Sequence, residues 1–153
     1  MKLTSFTDYS LRVLIYLAAE PSRRATIAEV ATAFAVKENH LTKVVHFLGK
    51  EGWLANVRGK GGGMLLAVPA EQIVVGRVVR ATEGEDLPAE CFGDEPDNCS
   101  ISRVCRLRGV LKQAVDAFYA VLDDYTLADL VRQRAPLLRV LNIQPVPYGG
   151  TGH

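Results

Sequence analysis

Cysteine is scarce in this chain. Of 153 residues only three are cysteines, and Cys91, Cys99 and Cys105 fall within one stretch of fifteen. An odd number of thiols placed so closely excludes the disulfide framework of a small secreted domain and points to the cytoplasm, where thiols stay reduced. Long apolar runs are missing as well. The longest near the N-terminus, 13–19, is short, follows Asp8 and Arg12, and has helical periodicity. It reads neither as a leader nor as a membrane span, so no membrane partner is expected. Charged residues make up 23% against 48% hydrophobic, which excludes disorder and fits one good core. Also absent are a Gly-Lys-Ser/Thr phosphate loop, a tight pair of cysteines two to four residues apart, and any acid/base pair. Nucleotide turnover, a structural zinc knuckle and an enzyme active site therefore have no footing.

The net charge of +1 conceals a division. Residues 1–80 carry 11 Lys+Arg against 6 Asp+Glu, and residues 81–153 carry 7 against 11. A basic first half is the footprint of a surface that meets phosphate.

The periodicity of that half spells out a winged helix. Leu11, Leu14, Ile15, Leu17 and Ala18 predict a helix over 4–19, ended by Pro21 and Ser22. Thr26 and Glu29 form a capping-box pattern opening a short helix through Ala33. A tight turn at 34–36 leads to a third helix over 38–50, with Leu41, Val44, Val45 and Leu48 on its inner side. Helix, short turn and helix is the pattern whose second member enters the DNA major groove. Two strand-like segments, 53–57 and 64–67, then flank Arg58-Gly59-Lys60-Gly61-Gly62-Gly63, a hairpin tip of glycines and cations that reads as a wing. Candidate DNA contacts are Asn39, His40, Thr42, Lys43 and His46 on the outer side of the third helix, with Arg58 and Lys60 on the wing. An exposed polar helix face is ordinarily only solvated. The capped helix before it and the wing after it favour DNA contact here. His40 and His46, six residues apart, are poorly spaced for a shared metal.

A fourth helix over 71–82, carrying Ile73, Val74, Val78 and Val79, is expected to pack on the first. Seven acids and no Lys or Arg then mark a loop over 83–97. Beyond it, Leu107, Leu111, Ala114, Phe118, Val121 and Tyr125 recur at intervals of four and three, the seam of a short coiled coil. A homodimer through this helix is expected, presenting two heads to a two-fold symmetric operator in double-stranded DNA. Thr126 caps a last helix to about Arg134, Pro136 ends it, and a disordered tail is expected over 136–153. The fold class is mainly α: a winged helix-turn-helix domain over 1–82, a thiol loop over 83–105, and dimerisation and C-terminal helices over 106–135.

The thiol spacing is Cys-x7-Cys-x5-Cys. Taken alone it leaves an iron–sulfur cluster, zinc and redox-sensing thiols open, and Arg103, Arg106 and Arg108 nearby favour thiolates. Three sets of residues resolve the choice by resemblance: Asp8-Tyr9-Ser10-Leu11-Arg12-Val13-Leu14, the run 39–46 with the wing 57–63, and Cys91-Phe92, Asn98-Cys99 and Cys105-Arg106-Leu107-Arg108-Gly109-Val110-Leu111. Together they resemble a bacterial family of winged-helix repressors that carry iron–sulfur clusters, over about residues 1–130. Within it they are most similar to the nitric-oxide-sensing members. Members that regulate cluster assembly use a histidine shortly after the third cysteine, and positions 106–110 hold none.

The resemblance implies a cluster held by Cys91, Cys99 and Cys105, of the 4Fe–4S type with 2Fe–2S as the alternative. It further implies a fourth ligand, Asp8, from the partner's first helix, and nitric oxide as the signal that releases DNA. Asp8 is also where a helix dipole favours a carboxylate in any case. Two other functions compete: a regulator sensing redox state or cluster supply through a 2Fe–2S centre, and an iron–sulfur electron-transfer protein, in which the wing would be idle.

Overall fold

The computed structural model describes residues 2–84 and 99–147. The expected loop from residue 85, with Cys91, Phe92 and Asn98, and the tail from 148 lie outside the described residues.

The first helix, α1 (Ser5–Ala19), is the hub of the core. It starts where the Thr4 hydroxyl accepts the Thr7 amide at 3.3 Å, satisfying a donor that the first turn leaves open. Val13, Leu14 and Leu17 are buried at helical spacing, each contributing about 1.5–3 kcal/mol through lost apolar surface. Helices α2, α3, α4, α6 and α7 all pack on this one, so α1 joins both halves of the molecule.

The capping box appears as the sequence predicts. Glu29 accepts the Thr26 amide at 2.7 Å while Thr26 accepts the Glu29 amide at 3.2 Å, opening α2 (Ile27–Phe34). Ala35 closes it in the left-handed conformation, φ 53°, and the chain turns directly into α3 (Glu38–Lys50). Leu41, Val44, Val45 and Leu48 are buried, as their spacing requires. The wing follows as antiparallel strands β1 (Leu54–Val57) and β2 (Gly63–Leu66), with Leu54 opposite Leu66 and Val57 opposite Gly63. Ala25 and Met64 exchange backbone hydrogen bonds at 2.9 and 2.7 Å, tying the hairpin to the residue before the Thr26 cap of α2.

The fourth helix begins later than periodicity suggests. Residues 70–72 form a single 3-10 turn, and α4 runs over Val75–Glu83 against α1. Val74 is diverted into a β-bridge with Thr126, where Leu127 donates to Ile73 and Val75 to Tyr125. Helix α5 (Leu107–Asp123) is the long one, and none of its residues is buried. Leu107 and Val121 of the expected seam, and Val110, are each more than half exposed.

Thr126 caps α6 (Leu127–Leu130) as expected, but the chain does not then trail away. A seventh helix, α7 (Arg134–Val140), contains Pro136, and Leu141 and Ile143 are buried beyond it. Pro136 stands in the helix's first turn, where its missing N–H has no carbonyl to serve, so it does not break the helix. Arg134 anchors this end, donating to the Ala19 carbonyl at 2.9 Å and pairing with the buried Glu20 at 2.5 Å. The start of the expected tail is thus packed structure up to Ile143. No helix among the described residues is long and apolar enough to cross a membrane.

Candidate nucleic-acid interface and thiol segment

The outer face of α3 is polar because its inner face is spent on the core. Asn39, His40, Thr42, Lys43 and His46 are all exposed, and the intervening Leu41, Val44 and Val45 are buried. The five predicted contacts therefore share one accessible side of one helix. Thr42 differs from the others. Its hydroxyl donates to the Glu38 carbonyl at 3.1 Å, so towards a ligand it acts as an acceptor. His40 lies parallel to the Tyr9 ring of α1, 14° between planes and 6.1 Å between centroids.

Arg58 and Lys60 are exposed at the wing tip, which is built tightly enough to present them in a fixed place. A side chain on Gly62 would put its Cβ 2.3 Å from the Val57 carbonyl oxygen, so only glycine fits that turn. Arg24, which no local pattern singles out, donates to the Gly61 carbonyl at 3.0 Å and braces the tip from outside the hairpin. Its role depends on a contact 37 positions away in the chain, which a reading of neighbouring residues does not reach.

Of the predicted cluster ligands, Cys99 is exposed and Cys105 partly covered at the foot of α5, and both are free thiols. Cys91 lies outside the described residues. Asp8 sits one turn into α1 with its side chain 45% exposed, paired to Arg12 at 2.8 Å. The Arg12 guanidinium lies over both Tyr9 and Phe34, 5.9 and 5.7 Å from their ring centroids. Among the described residues of one chain no three His, Cys, Asp or Glu come together to hold a metal. In donor chemistry the set fits an iron–sulfur group: free thiols on an open segment, and a carboxylate accessible enough to be offered outward.

A second carboxylate meets the first turn of α1, and the reading of neighbouring residues does not find its role. Glu83, the last residue of α4, accepts the Thr4 amide at 2.8 Å and the Thr7 hydroxyl at 2.5 Å. Burial pushes its carboxyl up, but the hydrogen bonds from Thr7 and Thr4 outweigh that and hold it below the usual range. The chain thus leaves α4 for the thiol segment from a point pinned to the first turn of α1.

Comparison with known proteins places these features in a lineage. Residues 3–133 match the model of the family described as Rrf2, iron-dependent transcriptional regulator. The HTH-type transcriptional regulator NsrR of Bacillus subtilis is 46% identical over 145 residues, covering 94% of this chain and 99% of that protein. NsrR of Halalkalibacterium halodurans is 44% identical, covering 95% and 100%. Among solved structures, CymR, the global cysteine regulator of Bacillus subtilis, superposes with a TM-score of 0.71 at 25% identity, over 87% of this chain and 98% of that one.

Proposed function

The chain belongs to the Rrf2 family of transcriptional regulators, and from that premise we propose that it is a homodimeric repressor that binds operator DNA through an iron–sulfur cluster-dependent arrangement of its two heads and is released by nitric oxide. It is a DNA-binding regulator and not an enzyme. The observation that carries the finer reading is the pairing of two features on one chain. One is an exposed recognition face with a braced wing, and the other is a set of free thiols at the foot of a long helix with no buried residue.

In this reading Cys91, Cys99 and Cys105 of one protomer hold a 4Fe–4S cluster, and the first helix of its partner offers Asp8. When bound, the cluster supplies irons that react with nitric oxide. The residues supply the rest. Asp8 would be the one oxygen donor beside three thiolates, and in the structure its carboxylate is paired with Arg12, 2.8 Å away in the same helix. Leu107, Leu111, Ala114, Phe118, Val121 and Tyr125 pair the two long helices, so the spacing of the heads follows from how the protomers are held. Specific binding exceeds non-specific binding by about 4–10 kcal/mol, so misregister worth a few kcal/mol releases the operator. The chain divides accordingly into a DNA-binding head over 1–82, a cluster-binding segment over 83–105 and a dimerisation region over 106–135, working in the cytoplasm. The expected targets are genes that remove nitric oxide, in line with the NsrR name of its relatives.

Anaerobic purification with iron and acid-labile sulfide assays tests this directly. The expected result is about four irons and four sulfides per chain, following from the cluster type, with a visible absorption lost on replacing any of the three cysteines by serine. Two irons per chain would point to the redox or cluster-supply regulator. A colourless protein with zinc, or cysteine variants that still bind the operator specifically, would end the cluster-switch reading.

A further inference from the structure

His40 is exposed in the first turn of α3, the part of a recognition helix that meets base edges, and its ring has an aromatic neighbour. On one side lies the Tyr9 ring from α1, near-parallel and at the distance of an offset stack. Tyr9 has a second contact of its own, with the Arg12 guanidinium 5.9 Å from its ring centroid. The backbone beneath is set too, since the His40 amide donates to the Lys37 carbonyl at 3.1 Å. An exposed imidazole that must be ordered on binding loses affinity to the entropy of ordering, whereas one already stacked does not.

We propose that Tyr9 is a positioning residue for operator reading: it fixes the plane of the His40 imidazole, so that replacing Tyr9, which need not touch DNA itself, alters recognition at the base pair that His40 meets. The inference rests on the reading of α3 as the recognition helix with His40 at the DNA. It concerns the aromatic ring of Tyr9 and not its hydroxyl.

The test uses the full-length protein, purified anaerobically, with a duplex selected by the wild type from a randomised library and a scrambled duplex of equal length. Tyr9→Leu lowers affinity for the selected duplex about 5–20-fold, the size of one well-made base contact, and leaves the scrambled duplex unchanged. Tyr9→Phe stays within about twofold of wild type, because the stacked ring survives. His40→Ala loses as much as Tyr9→Leu, and the double variant loses no more than His40→Ala, because both act through one contact. Additive losses, or a Tyr9→Leu variant that binds like wild type, overturn the inference. If His40→Ala itself binds like wild type, the placement of His40 at the DNA fails first, and the inference falls with it. A second measurement needs no variant at Tyr9. In the free wild-type protein the His40 ring protons, assigned with His40→Ala, are displaced from their unstructured positions by the Tyr9 ring current. Undisplaced signals overturn the proposal.

Discussion

Arg80 of α4 and Asp123 of α5 meet as a two-pronged ion pair, with both guanidinium nitrogens 2.7 Å from a carboxylate oxygen. Arg80 also lies 4.4 Å from the centroid of the Tyr119 ring. This joint, with the backbone bonds from Val75 and Leu127 just beyond it, anchors one end of α5 to the head. The other end, 16 residues away at Leu107, carries Cys105 just before it.

The joint leaves no room at Gly76, where an added Cβ would stand 2.0 Å from an Asp123 carboxylate oxygen. Gly76→Ala should therefore destabilise the protein by about 1–3 kcal/mol, an overpacking cost. Thermal denaturation should show a fall of roughly 3–10 °C. Adding Asp123→Ala should recover part of it, because the obstructing atom is gone while the Asp123 amide, 3.1 Å away, remains. Loss of equal size in both backgrounds would count against the clash.

Glu83 makes stability depend on acid. Its folded value lies below its ordinary 4.5, because hydrogen bonds from Thr7 and Thr4 outweigh burial. The folded protein thus binds fewer protons here than the unfolded chain. Its contribution is complete above the ordinary value and disappears as pH falls through the folded one. Glu83→Gln should melt about 1–3 °C lower at pH 7, a small effect because solvent screens the group. The difference should shrink as pH falls through the folded value of Glu83, where its carboxyl becomes neutral like the amide; a gap that widened in acid would contradict the assignment.

The wing acts through charge. Arg58→Ala and Lys60→Ala should each weaken binding to operator and scrambled DNA alike, and each should reduce the slope of log affinity against log salt by about 0.9. Titrations at several salt concentrations measure this. A loss confined to the operator sequence would instead make these side chains readers of bases.

Asp8→Ala should leave a cluster on three thiolates but change its reactivity. The visible spectrum should shift and the rate of bleaching by nitric oxide should differ from wild type. If spectrum, bleaching rate and operator affinity all match the wild type, Asp8 is not the fourth ligand.

Several elements were legible from neighbouring residues. The Thr26–Glu29 capping box, the extent of α3 and the alternation of buried and exposed positions along it are settled within one or two helical turns. The wing strands are set by a turn only glycine can make. Other elements depend on partners far along the chain. The start of α4 moves from 71 to 75 because Val74 pairs with Thr126, and a polar backbone group in the interior must find such a partner. Helix α7 survives Pro136 because that residue falls in the first turn and Arg134 reaches Glu20, 114 positions earlier.

The candidate site divides along the same line. Residue type and spacing were enough to choose the polar face of α3, the cations of the wing and the three thiols, because chemistry and periodicity are local properties. Asp8 was chosen only by the resemblance of residues 8–14 to the family. Folding was needed to set the Tyr9 ring against His40, to brace the wing with Arg24, and to tie Glu83 to the first turn of α1. Those contacts join residues 31 to 76 positions apart, and their geometry follows from how helices pack around Val13, Leu14 and Leu17, a core that no short stretch of the chain contains by itself.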